Sequence, residues 1–171
     1  MPEAYGSVVI VASEEIIDEF KNCGESISWE LMTKLFNYAG IKSIQDSDDM
    51  LSFCNKDEGF HQEGVEVKNS AVNITIFGSE WMDISKVLIK QGKGIQLYGR
   101  INHEYGADEF YALNADGKSY TEVIDYEGEY NVDREDGIFS EWIGYVPQDM
   151  LASFPEVFSN EEEDEDYEED D

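Results

Sequence analysis

Ala71-Val72-Asn73-Ile74-Thr75-Ile76-Phe77 and Ile95-Gln96-Leu97-Tyr98-Gly99-Arg100-Ile101 are the two runs whose reading decides the fold. In the first, Val72, Ile74 and Ile76 alternate with Asn73 and Thr75, the period of two expected of a half-buried strand. In the second, Ile95, Leu97 and Ile101 share one face, while Gln96, Tyr98 and Arg100 share the other. Between them the period changes to that of a helix. Ser79 can cap it, Ile84, Val87 and Leu88 fall on one side, and Gly92 or Gly94 stops it. After a break at His103–Gly106, Glu109–Leu113 and Tyr120–Asp125 read as two strands joined by Asn114-Ala115-Asp116-Gly117. Asp-Gly tolerates positive φ, so this is a strong hairpin signal.

Toward the N-terminus, Val8-Val9-Ile10-Val11 is a short apolar run rich in β-branched residues and reads as a buried strand. Ser13 offers an N-cap to a helix of about nine residues that Gly24 ends, with Glu14 and Glu15 suited to its positive end. A second helix follows Ser28, with Leu31, Leu35 and Tyr38 at helical spacing and Gly40 as its stop. Asp48–Cys54 suits a third, short helix, and residues 55–64 are polar and Gly-punctuated, hence a loop. Toward the C-terminus, residues 127–137 are acidic and loop-like, and apolar stretches at Phe139–Val146 and Met150–Phe158 are expected to pack back on the domain. No internal repeat is visible. The order predicts an α+β fold, with helices on one face of a largely antiparallel sheet. Residues 1–159 would form one domain and residues 160–171 a disordered acidic tail.

The segment 71–125 resembles the ferredoxin-like domain of YubB-type proteins, which are found on plasmids and phages. In that family, as here, the strand after the helix leads through a Glu-x-Gly turn (Glu104-Tyr105-Gly106) to a hairpin with an Asn/Asp-Gly tip. The resemblance covers about a third of the chain. It implies a ferredoxin-like sheet and a mobile-element origin, and it brings no catalytic residues.

At 171 residues, with 41% apolar and 13% aromatic side chains, the chain suffices for one domain with its own core. Forty acids against 11 Lys+Arg give a formal charge of −29. Direct binding to nucleic acid or to an anionic membrane is disfavoured, since both require a positive footprint. The partner to expect is basic. No apolar run is long enough to span a bilayer, and no secretory signal is visible, so a cytoplasmic location is expected, that of the host cell for a phage protein. Cys23 and Cys54 lie far apart without a C-x-x-C, consistent with reduced thiols, though the sequence alone leaves a disulfide open. The charge is uneven: residues 1–103 carry a net −7, and residues 104–171 carry 24 acids with only Lys118 and Arg134 as bases, a net −22. From Glu161 to Asp171, ten of eleven residues are acidic. Extended, such a tail presents about one carboxylate per 3.5 Å, close to the charge spacing of a single nucleic-acid strand.

Enzymatic signatures are weak throughout. His61 and His103 both fall in expected loops, without a nucleophile motif beside them. Lys90-Gln91-Gly92-Lys93-Gly94 reads as a helix stop, not a phosphate loop. With 40 acids, paired carboxylates carry no information about glycoside chemistry. Asp46-x-Asp48-Asp49 and Asn114-x-Asp116-Gly117-x-x-x-x-Glu122 fail as EF-hand loops, the first for want of Gly at its sixth position, the second because Glu122 comes one residue early and sits in a strand. No catalytic residue, cofactor or specific metal site is therefore expected, and the chain reads as a non-enzyme.

Acids interleaved with aromatic residues form the remaining pattern, at Glu104-Tyr105, Asp108-Glu109-Phe110-Tyr111, Asp125-Tyr126-Glu127 and Glu129-Tyr130. Strand rings usually turn inward as core. The alternative is a contact face in which Tyr supplies rigid area and carboxylates supply steering. On that reading the partner-binding residues are Glu104, Asp108, Glu109, Asp116, Glu122, Asp125, Glu127, Glu129, Asp133, Glu135 and Asp136. Glu161, Glu162, Glu163, Asp164, Glu165 and Asp166 would form a second contact in the tail. The composition is similar to that of the anti-restriction and anti-nuclease DNA mimics of phages and plasmids. The function expected is a nucleic-acid mimic that occludes a basic surface of a host defence, nuclease or repair protein. The alternative is an immunity- or antitoxin-type protein neutralising a basic toxin; a tail that merely keeps the domain soluble also remains open.

Overall fold

Two layers of helices enclose a six-stranded antiparallel sheet in a computed structural model that describes residues 4–23, 25–42, 59–77, 80–103, 107–125 and 132–159. The chain starts with β1 (Ala4–Val11), α1 (Glu14–Asp18) and a 3-10 turn (Glu19–Asn22). A two-residue strand β2 (Ser26–Ile27) and α2 (Trp29–Tyr38) follow. Next come β3 (Phe60–His61), β4 (Gly64–Lys68), β5 (Ala71–Phe77), α3 (Glu80–Gln91), β6 (Gln96–His103), β7 (Ala107–Leu113) and β8 (Ser119–Asp125). The C-terminal part adds α4 (Val132–Tyr145) and α5 (Gln148–Ser153).

Local chemistry sets these boundaries. Ser13 caps α1 by accepting the Ile16 amide, and Ser28 caps α2 by accepting the Leu31 amide at 3.1 Å. The helix begun at Ser13 runs nine residues if its 3-10 extension is included, as the sequence suggests. β4 and β5 meet in a tight turn at Asn69, whose φ of 57° is one that Asn tolerates. The expected strands at 72–76 and 96–101 and the hairpin around Asn114–Gly117 are all present. Asp48–Cys54 and the expected cap at Ser79 lie outside the described residues. Of the loop expected over 55–64, Phe60–His61 is a short strand paired with Ser26–Ile27, and β4 begins at Gly64.

The strand order is β4-β5-β1-β6-β7-β8, every neighbour antiparallel. Val8 and Ile10 of β1, Val72, Ile74 and Ile76 of β5, Leu97 and Ile101 of β6, and Tyr111 and Leu113 of β7 face one way. They pack on Ile17, Phe20, Met32, Leu35, Phe36, Ile84 and Leu88 of the N-terminal helices and α3. Val9, Tyr98, Phe110, Ala112 and Ile124 face the other way, onto Trp142, Val146, Met150, Phe154 and Phe158.

This second core corrects the expectation of helices on one face only. Part of the stretch assigned to an acidic loop, 127–137, is the start of α4. The reason is amphipathy: Ile138, Trp142 and Val146 recur every four residues and form a buried stripe against β7 and β8. The apolar stretches at 139–146 and 150–158 do pack back on the domain as expected.

Candidate functional site

Two exposed acids, Asp116 and Glu141, meet where the β7–β8 hairpin packs on the C-terminal half of α4. The tip is closed by Asn114 N–H to the Lys118 carbonyl (2.8 Å) and Gly117 N–H to the Asn114 carbonyl (3.0 Å). Gly117 takes φ 92°, the left-handed region that the Asp-Gly signal anticipates. The Asp116 carboxylate accepts the Lys118 amide at 3.0 Å, so its acid stays at the tip, exposed. Asn114 then ties the hairpin to the helix: its amide donates to the Tyr98 hydroxyl (3.0 Å) and to the Tyr145 carbonyl (2.7 Å). Tyr98 donates onward to Gln96 Oε1 at 2.9 Å.

Beside this anchor, Tyr120 of β8 donates its hydroxyl to Glu141 Oε1 of α4 at 2.9 Å, and its ring lies 5.3 Å from that of Tyr145 at 32°. Together Asn114, Asp116, Lys118, Tyr120, Glu141, Gly144 and Tyr145 line a surface cleft of about 490 Å³. Burial is the main cause holding Tyr98 protonated, pushing its hydroxyl up to about 12, with Asp149 and Asp116 adding to the rise and the Asn114 bond opposing it. Tyr120 is raised further, first by burial, then by the bond to Glu141 and the charges of Glu141 and Glu122. Both hydroxyls are thus neutral donors across the physiological range.

The sequence-derived contact residues fare unequally. Asp116 is exposed at the hairpin tip, and Glu122 is half-buried on the α4 side of β8. Asp108 and Glu109 are, at 3% and 7% exposure, buried in the fold. Asp108 pairs with Arg100 (3.6 Å) and accepts from Asn102; Glu109 pairs with Lys86 (3.7 Å) and accepts from the Tyr111 hydroxyl. Phe110 and Tyr111 are likewise fully buried, so the inward reading of the strand rings holds for them. Asp125 ends β8, and Asp133, Glu135 and Asp136 fall in the first turns of α4. Glu104, Glu127, Glu129, Glu161, Glu162, Glu163, Asp164, Glu165 and Asp166 lie outside the described residues, as do Tyr105, Tyr126 and Tyr130.

Sequence reasoning missed Asn114, Tyr120, Glu141 and Tyr145 as a group. Glu141 and Tyr145 are four apart, one helical turn, and would have shared a face had α4 been recognised from its Ile138, Trp142, Val146 stripe. Elsewhere, His61 is exposed with its amide bonded to Glu80 at 2.9 Å, and Lys90–Gly94 does end α3. Among the described residues no group of three or more His, Cys, Asp or Glu is placed to hold a metal ion, Cys23 is a free thiol, and no helix is long and apolar enough to cross a membrane. Comparison with family models, with curated proteins and with solved structures finds no match for this chain.

Proposed function

We propose that this chain is a non-enzymatic acidic binding protein of phage or mobile-element origin, acting in the cytoplasm, that occludes a basic nucleic-acid-binding surface of a host protein. The observation that carries the reading is the distribution of charge. Residues 104–171 hold 24 acids and two bases. On the described part of that half, Asp116, Glu141, Asp149 and Glu156 are exposed. The cations that reach the α4–α5 layer from the other half are engaged internally. Lys68 Nζ donates to the Ser153 carbonyl (2.5 Å) and sits over the Phe154 ring, and Arg100 is paired with Asp108 and lies over Phe110 and Phe139. A surface on which exposed acids outnumber exposed bases draws a basic partner from a distance and repels nucleic acid.

The expected ferredoxin-like sheet has support of its own in the strand order. We read β1, α2, β4, β5, α3 and β6 as a ferredoxin-like βαββαβ unit, to which β7 and β8 add one edge. The order β4-β5-β1-β6, antiparallel throughout, and the burial of α2 and α3 on one face support it.

The test is a pull-down from host lysate with the full chain and with a chain ending at Asn160, each washed at low and high salt. Retention by both of one basic nucleic-acid-binding protein, released by competing DNA, supports mimicry by the folded face. Retention of many basic proteins, only when the tail is present, overturns it.

A further inference from the structure

We infer that the cleft between the Asn114–Gly117 hairpin and α4 is a receptor for one arginine side chain of the basic partner, with Tyr120 and Tyr145 as its stacking wall and Glu141 and Asp116 as its acceptors. The inference rests on the acidic-binder reading and deepens it by naming where and by what chemistry the contact is made. At about 490 Å³ the cleft is within the size range of small-ligand sites. Its wall is held before any ligand arrives. Tyr120 is fixed by its bond to Glu141, and the backbone at Tyr145 by its bond from Asn114, which leaves the two rings 5.3 Å apart at 32°. A preorganised wall loses little entropy on binding. Gly144 also lines the cleft, and a Cβ there would meet nothing within 4 Å. Packing therefore does not demand glycine, although glycine weakens a helix interior.

The lining chemistry selects the ligand. It holds two carboxylates and one ammonium, that of Lys118; Glu122 lies close enough to act on the cleft's Tyr120, and Asp149 on Tyr98, to which Asn114 is bonded. An anion would meet net negative charge. A divalent metal would need three converging ligands, which the described residues lack. A guanidinium suits the tyrosines and the two carboxylates, which outnumber the Lys118 ammonium: it stacks flat on a neutral tyrosine face and forks its donors toward carboxylates, and a carboxylate already accepting from a tyrosine hydroxyl has acceptor sites to spare. A lysine ammonium has the charge without the plane.

The experiment is an amide NMR titration of the full chain with Nα-acetyl-arginine amide. Saturable shifts are expected at the Gly144 amide and the Asn114 side chain, with a dissociation constant on the order of millimolar, as for a single small-ligand contact. The neutral isostere Nα-acetyl-citrulline amide should produce none. Glu141→Gln should weaken binding by about tenfold, the value of a charge-assisted hydrogen bond. Gly144→Leu, which adds bulk to the cleft lining, should weaken it; if that variant does not fold, Glu141→Gln still decides. A Gly-Gly-Arg-Gly-Gly peptide should bind at least as well as free arginine, and the reverse preference would mean an amino-acid site and overturn the inference. Equal binding of citrulline, or shifts unaltered by Glu141→Gln, would also overturn it. If the arginine probes fail while a basic partner is still retained, the cleft is rejected and the acidic-binder reading stands. If they bind while no basic partner is retained, the arginine site stands and the wider reading falls.

Discussion

Asp108 and Glu109 are neighbours in sequence and end on opposite faces of β7, because strand side chains alternate. Asp108 meets Arg100 and Asn102 on the α4 side, and Glu109 meets Lys86 and Tyr111 on the α3 side. Both are structural acids, and substitution should show it. Asp108→Ala strands the half-buried Arg100 cation and is expected to cost about 3 kcal/mol, the scale of breaking a buried pair by removing one partner. Urea unfolding would read this as a lower midpoint at unchanged slope. Asp116→Ala, at the exposed hairpin tip, should stay within about 0.5 kcal/mol in the same assay while weakening a basic partner. Equal costs for the two would contradict the division between internal and external acids. Tyr98 supplies a pH dependence. Its folded pKa of about 12 lies above the ordinary 10.0, so its contribution to stability is complete below pH 10.0 and is lost as pH rises toward 12. Thermal unfolding followed across that window should show a steady fall, shallower in Tyr98→Phe.

At the scale of elements, what separates the legible from the missed is where the apolar signal sits. β5 and β6 show alternation, the hairpin has its Asp-Gly tip, and α2 and α3 show helical spacing, so each is readable locally. β4 alternates too, Val65 and Val67 against Glu66 and Lys68, but over only five residues beside a polar, Gly-punctuated stretch; it is a half-exposed edge strand whose charges are those by which sheets avoid further pairing. α4 was missed because its first turns are polar and carry Gly137, and only the later stripe is apolar. The clue to a second helical layer lay elsewhere, in Val8-Val9-Ile10-Val11. A run apolar at consecutive positions, not alternate ones, belongs to a strand covered on both faces, and β1 is central with Val8, Val9 and Ile10 all at 0% exposure. The candidate site inherited that omission, since half of the cleft is α4. Trp142 is the anchor of this layer: fully buried, 5.3 Å from Phe110 and 5.5 Å from Phe158 between ring centres, with its indole N–H donating to the Tyr111 carbonyl at 2.8 Å. Trp142→Ala should cost about 3–5 kcal/mol, as large-to-small changes at buried aromatics do. Because α4 forms one wall of the cleft, that variant should also lose the arginine-dependent NMR shifts under conditions where the β-sheet signals persist.

For the whole molecule, a charge of −29 on 171 residues is a load on the folded state as well as a means of attraction. The described ion pairs offset little of it, because Lys21–Asp18 and Lys34–Glu19 are exposed and of small individual value. Self-repulsion acts over roughly 10 Å at 0.1 M salt and about 3 Å at 1 M, so added NaCl should stabilise the fold instead of weakening it. Removing residues 161–171 deletes ten acids and no base and takes the formal charge from −29 to −19. The midpoint temperature of the full chain should therefore rise with NaCl, and that of the chain ending at Asn160 should start higher and rise less. The association rate with a basic partner should move the opposite way, falling with salt in both chains, since steering is screened by the same ions. The pair of slopes is informative because one charge distribution drives both. A midpoint that ignored salt alongside a salt-sensitive rate would confine the attraction to a local patch such as the hairpin–α4 acids. A salt-dependent midpoint with a rate indifferent to salt would leave the acids a role in solubility and remove the electrostatic basis for occluding a basic surface.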